Sequence, residues 1–280
     1  MTLHDGSHAA ERATGLGASY LLVLLIVAVA ATGYAWLSRR ALRGWSSWRT
    51  TAWLSGCLVV ALAPVVAVRP GPIGHMAQHL LLGMVAPLGL VLAAPVTLLL
   101  RSSGPAVRRH LVSRLRTLAR LLRSRPLHVL GHPIVAAVLS VGGLALLLLT
   151  PLYGVAERNP LVHQAVHFHY LAAGYLFVWS IAGPDPAPRR PRIPIRVAVL
   201  ILAGAAHSIL AKYIYAHAST LPMGESPTAI QQAAQLMYYG GDLTELLLAT
   251  ALFASYFHPA SFRRTASSRR DLVARPVQSS

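Results

Sequence analysis

The chain has 280 residues, 55% of them hydrophobic and only 12% charged, where an average soluble domain carries about 25% charged residues. Its formal net charge of +17 sits in short connections between apolar stretches, a placement that excludes a nucleic-acid binder and points to anionic lipid head groups. The single cysteine, Cys57, excludes a disulfide framework and a Cys-x-x-Cys metal or redox motif.

The fold class read from these features is all-α: a polytopic membrane helix bundle of seven transmembrane helices. Residues 1–16 read as an extracytoplasmic tail. They carry Asp5 and Glu11 in place of a basic leader region, so the first apolar run is expected to be a retained span. Residues 17–257 form the membrane domain. Its spans are expected at 17–38, 48–68, 75–100, 129–150, 161–183, 193–217 and 227–257, each near or above the roughly 20 residues that cross a hydrocarbon core. The third is long and contains Pro87 and Pro95, which predicts a kink or an interfacial end near Pro95. In segment 105–125, Val107, Leu111, Leu115, Leu118 and Leu122 recur at helical spacing with arginines between them. That pattern is an amphipathic helix lying on the cytoplasmic leaflet. Residues 258–280 read as a disordered basic tail.

Arginine placement sets the orientation. Of 24 arginines, 21 fall in the first, third and fifth connections or the C-terminal tail, and only Arg12, Arg69 and Arg158 fall on the other side. This split puts the N-terminus outside and the C-terminus in the cytoplasm.

Histidine follows the opposite bias. His4, His8, His75, His79, His163, His167, His169, His207 and His217 lie outside or in the outer half of the membrane; His110, His128, His132 and His258 lie on the cytoplasmic side. His75/His79 and His163/His167 are each four residues apart, so each pair projects from one helix face, one turn apart. Such rings at a span mouth face a partner, water or a ligand. Imidazole together with thioether is a copper ligand set, above all for Cu(I). The bland alternative is hydrogen bonding to backbone, lipid phosphate or water. His169 lies roughly 200° around the helix from His167 and is expected to pack or support rather than share that pair's site. Met76, His169, His207, His217 and Met223 are further candidates for a metal or its surroundings. Met84 and Met237 read as core.

Lys212, Asp242 and Glu245 are ionisable groups inside spans six and seven, and read as an intramembrane charge cluster. Gly240 and Gly241 beside them would permit close helix approach. Catalysis finds no support: Gly-x-Ser-x-Gly, His-Glu-x-x-His and Walker-type glycine loops are absent from the sequence. No haem is expected, since each histidine pair shares one helix instead of facing another across the bundle.

The run His75-Met76-Ala77-Gln78-His79-Leu80-Leu81, with Ala86-Pro87-Leu88 and Leu92-Ala93-Ala94-Pro95, resembles the third-span motif of polytopic CtaG-type cytochrome c oxidase assembly factors. His132-Pro133, Thr150-Pro151-Leu152-Tyr153, the His163/His167 pair and Gly183-Pro184-Asp185-Pro186 fit the same family, over roughly residues 48–200. The resemblance departs in span seven. There the family often has Asp-Gln-x-x-Gly-Gly-x-x-Met-Trp, and this chain reads Gln231-Gln232-Ala233-Ala234-Gln235-Leu236-Met237-Tyr238-Tyr239-Gly240-Gly241.

What the resemblance implies is a respiratory-chain assembly factor or chaperone acting on haem–copper oxidase subunits, with His75, His79, His163 and His167 as the copper-handling or structural histidine layer. Two other readings stay open. One is a copper or proton transporter using Lys212, Asp242 and Glu245; the other is a metal-free assembly scaffold.

Overall fold

All regular structure among the described residues is helical. The computed structural model describes residues 4–41, 44–66, 71–103, 129, 131–186 and 190–257, with side chains from Tyr20 onward. The expected amphipathic segment 105–125 and tail 258–280 lie outside the described residues, as do Arg69, His110, His128 and His258. The helices are α1 (His4–Arg40), α2 (Ser47–Val66), α3 (Pro72–Leu80), α4 (Ala86–Leu92), α5 (Pro95–Ser102), α6 (Pro133–Ala137), α7 (Gly143–Leu149), α8 (Leu152–Arg158), α9 (Pro160–Ala182), α10 (Ile193–Ala216) and α11 (Pro227–Phe257). A π-helical turn, Leu81–Val85, joins α3 to α4, and another, Val138–Gly142, joins α6 to α7.

Five helical stretches are long and apolar enough to cross a membrane: Tyr20–Arg40, Ser47–Val66, Pro72–Ser102, Pro160–Ala182 and Ile193–Ala216. A sixth is obtained if Pro133–Leu149 and Leu152–Arg158, bent by 82°, are taken together. Helix α11 is 31 residues long but less apolar, because it carries Gln231, Gln232, Gln235, Asp242 and Glu245. Apolar residues cover much of the outer surface, among them Leu21, Leu25, Ile201, Leu202, Leu243 and Leu246. That distribution is expected of a bundle whose solvent is hydrocarbon.

Two breaks shape the bundle. After α4 the chain leaves the helix at Ala94, which takes a left-handed conformation (φ 56), and Pro95 opens α5. The break sits at Pro95, where the sequence predicts it. It frees the Ala93 carbonyl, which accepts a hydrogen bond from the Tyr34 hydroxyl at 2.7 Å and so ties α1 to the third span. The new helix start is capped from a distance: the buried Asp185 carboxylate accepts hydrogen bonds from the Val96 and Thr97 amides (3.1 and 2.8 Å) and the Thr97 hydroxyl (2.6 Å). A negative side chain here satisfies orphan amides and complements the helix dipole.

The fourth span, expected at 129–150, is helical from Pro133 to Leu149 and ends where the chain bends by 82°. Thr150 precedes Pro151, which disfavours helical geometry at the preceding residue. Thr150 is accordingly extended (φ −124, ψ 167), and the chain turns into α8. This short helix falls where the sequence reads as a connection. At the start of the chain the first helix opens at His4, well before residue 17.

Packing is tightest where side chains are smallest. The Gly83 carbonyl fills the space a Cβ at Gly174 would need, so α9 crosses the π-helical turn backbone to backbone. Helices α10 and α11 pair along their length, and α11 also packs on α3. One buried cluster, including Met76, Leu82, Leu147, Tyr170, Ile214 and Met237, holds the ends of these helices that carry the histidines.

Candidate functional site

Helix α3 begins at Gly71, whose φ of 92 turns the chain, and Pro72 opens the first turn. His75 and His79 then fall on the same face, and both point into the protein, at 4% and 3% exposure. Helix α9 starts at Asn159, whose side-chain oxygen accepts hydrogen bonds from the Leu161 and Val162 amides (3.0 and 3.4 Å). That cap sets the phase of the helix and brings His163 and His167 round to face α3.

The first cluster therefore comes from two spans. The His75 ring centre is 6.4 Å from that of His163 and 5.9 Å from that of His167, and the latter two are 4.3 Å apart. His75 Nε2 is hydrogen-bonded to the Tyr170 hydroxyl at 3.2 Å, and its Nδ1 lies 3.9 Å from a Glu157 carboxylate oxygen. Tyr153 packs edge-on to the same ring at 5.2 Å. His75 Nδ1 and His167 Nε2 are buried without a hydrogen-bond partner.

His79 belongs to a different layer. Four residues advance a helix by about 6 Å, so His79 lies beneath His75 and meets other neighbours. The Tyr170 ring stands edge-on to it at 4.7 Å, and the His207 imidazole of α10 lies 5.9 Å away. His207 Nδ1 is 3.8 Å from a Glu245 carboxylate oxygen. The sequence pairs His79 with His75; the fold pairs it with His207.

The remaining candidates disperse. Met76 and Met223 are buried in the apolar core. His169 hydrogen-bonds the Leu139 carbonyl within the second π-helical turn at 3.0 Å, over the open face of Gly143. His217 stacks on Tyr213 at 4.2 Å and hydrogen-bonds the Tyr213 carbonyl. The expected charge cluster separates as well. Lys212 pairs with neither acid; its ammonium lies 5.1 Å from the centre of the Tyr238 ring. Five residues turn a helix by about 140°, so Lys212 and His207 leave α10 on different faces. Asp242 is exposed and accepts a hydrogen bond from Ser208 at 3.1 Å, leaving Glu245 as the acid that faces inward.

Tyr153 enters the sequence reading only as part of a family motif, and Glu157 and Tyr170 escape it. Tyr170 follows His167 by three residues and so shares its face, a signal present in the sequence. Glu157 gave none, because it reaches the site only through the bend at Pro151.

Two imidazoles that share one ion, each about 2 Å from it, have ring centres about 5 to 6.5 Å apart. The separations of His75 from His163 and His167, and of His79 from His207, fall in that range. As the side chains stand, no three His, Cys, Asp or Glu residues among the described residues are grouped to hold a metal ion.

Residues 30–258 match the family described as cytochrome c oxidase caa3 assembly factor (Caa3_CtaG). The chain belongs to this family. Among curated proteins it is 36% identical over 210 residues to the uncharacterized proteins Mb0105 of Mycobacterium bovis and MT0111 of Mycobacterium tuberculosis, covering 71% of this chain and 30% of each relative. It is 34% identical over 174 residues to the uncharacterized protein ML1998 of Mycobacterium leprae, covering 61% of this chain and 26% of that one. The chain therefore spans less than a third of the length of these relatives. No solved structure matches it. Within the caa3 assembly factor family, the run His75 to Pro95 and the Asp185 motif are joined physically in this chain, since Asp185 caps the helix that Pro95 opens.

Proposed function

We propose that this family member is a non-enzymatic metallochaperone that holds copper as Cu(I) at its outer histidine layer and passes it to a haem–copper oxidase subunit. The observation that carries this reading is the meeting of His75 from one span with His163 and His167 from another, two of their ring nitrogens being buried without partners. Neutral imidazoles bind Cu(I) through few bonds. Two or three such bonds shield the ion from water and leave room for an incoming donor to displace them one at a time. Glu157, about two-fifths exposed at the mouth, supplies a negative charge that draws cations to the layer.

In this reading the protein crosses a bacterial plasma membrane seven times, α11 being the seventh span, with the N-terminus outside. Arg39, Arg40, Arg49, Arg101, Arg190, Arg192 and Arg196 lie at the helix ends opposite the histidine mouth. In this reading that end is the cytoplasmic one, with the exposed arginines among anionic head groups and Arg196 buried against the Ile181 carbonyl.

The test is copper content and oxidase maturation in a His75→Ala/His163→Ala variant. Membrane-inserted protein with several-fold weaker Cu(I) retention is expected, alongside oxidase that is present but poorly active and partly restored by excess copper, since mass action replaces a carrier. Oxidase subunits that are degraded, with copper giving no relief, would establish a metal-free scaffold instead.

A further inference from the structure

One turn below the outer histidines, His79 and His207 stand together with all four of their ring nitrogens buried and without a hydrogen-bond partner. Each residue is 3% exposed. Buried polar atoms in folded proteins are almost always satisfied, and leaving them unpaired costs free energy that packing alone does not return. Four such atoms on two adjacent rings mark a place built to receive something.

The surroundings say what. A cavity of about 30 Å3 lies against both rings, bordered also by Met84, Ser140, Phe177 and Glu245. A space of this size takes an ion or one to two waters. The chain gives up side chains to make it. A Cβ at Gly241 would overlap the His207 ring, and one at Gly204 would overlap the Glu245 carboxylate. The π-helical turn directly after α3 brings Met84 to the cavity, its sulfur held at 3.4 Å from the Thr244 hydroxyl. Turns of this type recur at functional sites.

Donor chemistry and charge select the occupant. Two imidazoles with a carboxylate and a nearby thioether are ligands for a first-row transition metal of the copper type. Deep in a bundle, net charge is expensive. Beside the one inward-facing carboxylate, that of Glu245, a monovalent ion needs no further counter-charge, and a divalent ion would draw also on Asp242. Ring centres 5.9 Å apart suit two imidazoles on a single ion.

We infer that His79 and His207 form a second, inner Cu(I) site, with Glu245 as its counter-charge and Met84 beside it, separated from the outer histidines by Tyr170. The identity of the metal rests on the copper-handling role proposed above; the existence of the site rests on its own geometry. Tyr170 connects the layers, its hydroxyl on His75 and its ring edge on His79. The protein thus holds two ions in file from the mouth towards the membrane interior.

The test is a Cu(I) titration of the purified full chain in detergent against a chelator. Three proteins are compared: the wild type, His207→Ala, and His75→Ala/His163→Ala. Two equivalents are expected for the wild type and one for each variant, with X-ray absorption of the copper retained by His75→Ala/His163→Ala showing nitrogen ligands at low coordination number. Glu245→Gln, which keeps shape and removes charge, is expected to retain the stoichiometry and weaken the inner equivalent about 10- to 100-fold. His207→Gln serves as the alternative if His207→Ala does not elute as a folded species. A single wild-type equivalent that survives His207→Ala and disappears with His75→Ala/His163→Ala would overturn the inner site and leave the outer reading standing. A single equivalent lost only with His207→Ala would do the reverse. No copper bound by any of them would remove both.

Discussion

Gly241 and His207 share one space: a methyl group on Gly241 would overlap Cε1 of the imidazole, with Nδ1 at 2.6 Å. Gly241→Ala is therefore expected to push the ring away from Glu245 and to destabilise the protein by about 1–3 kcal/mol, the usual result of overfilling a packed site. Gly33→Ala, with nothing within 4 Å of the added atom, is the control and should be neutral or slightly stabilising. Thermal unfolding in detergent separates them. Equal midpoints would mean that His207 moves freely and the inner site is not preorganised.

Tyr170 offers a subtler test. Its hydroxyl is the hydrogen-bond partner of His75 Nε2 at 3.2 Å. Tyr170→Phe preserves the packing and leaves that nitrogen alone, at a cost of about 1–3 kcal/mol. Copper retention by the outer layer should fall with it, because the ring loses its orienting contact. A variant as stable and as retentive as the wild type would show that His75 is held by packing alone.

Asp185 acts far from the histidines. Its carboxylate satisfies two amides and a hydroxyl at the start of α5, so Asp185→Ala should cost about 1–2 kcal/mol or more, the range for losing a helix cap. Asp185→Asn, which keeps one acceptor oxygen, should lose less. Copper stoichiometry is expected to stay unchanged in both. A loss of copper together with stability would mean that the break at Pro95 positions α3 as well as ending the span.

Lys212 lies over Tyr238 and apart from both acids. Lys212→Met should then remove a cation–π contact of about 0.5–1 kcal/mol and combine additively with Asp242→Asn. A double variant more stable than the Lys212→Met single would indicate a buried ion pair. It would restore a shared charge cluster in spans six and seven.

Orientation is tested at the chain end. A reporter fused after Ser280 should be active only as a cytoplasmic marker, given 21 arginines on one side against 3 on the other. An extracytoplasmic signal would turn the histidine mouth inward and defeat delivery from the outer face.

Much of this protein is legible in one dimension. Apolar stretches near 20 residues long, the break at Pro95 and the shared face of His163 and His167 depend on local rules: hydropathy against lipid thickness, proline sterics and helical periodicity. These rules act within a few residues, so sequence alone determines them. The partners of each histidine are another matter. His75 and His79 share a face and end in different layers because α9 supplies neighbours to one and α10 to the other. Helix α8 brings Glu157 to the mouth only because the chain turns 82° at Thr150–Pro151. Lys212 parts from Asp242 and Glu245 because residues close in depth leave their helices at different angles. Such relationships depend on which helices touch and in what rotation. Close approaches such as Gly174 on Gly83 and Gly241 on His207 set that rotation, and they join residues dozens of positions apart. Sequence placed the histidines at the mouth of the bundle; tertiary packing alone decided that they would form two layers and not one.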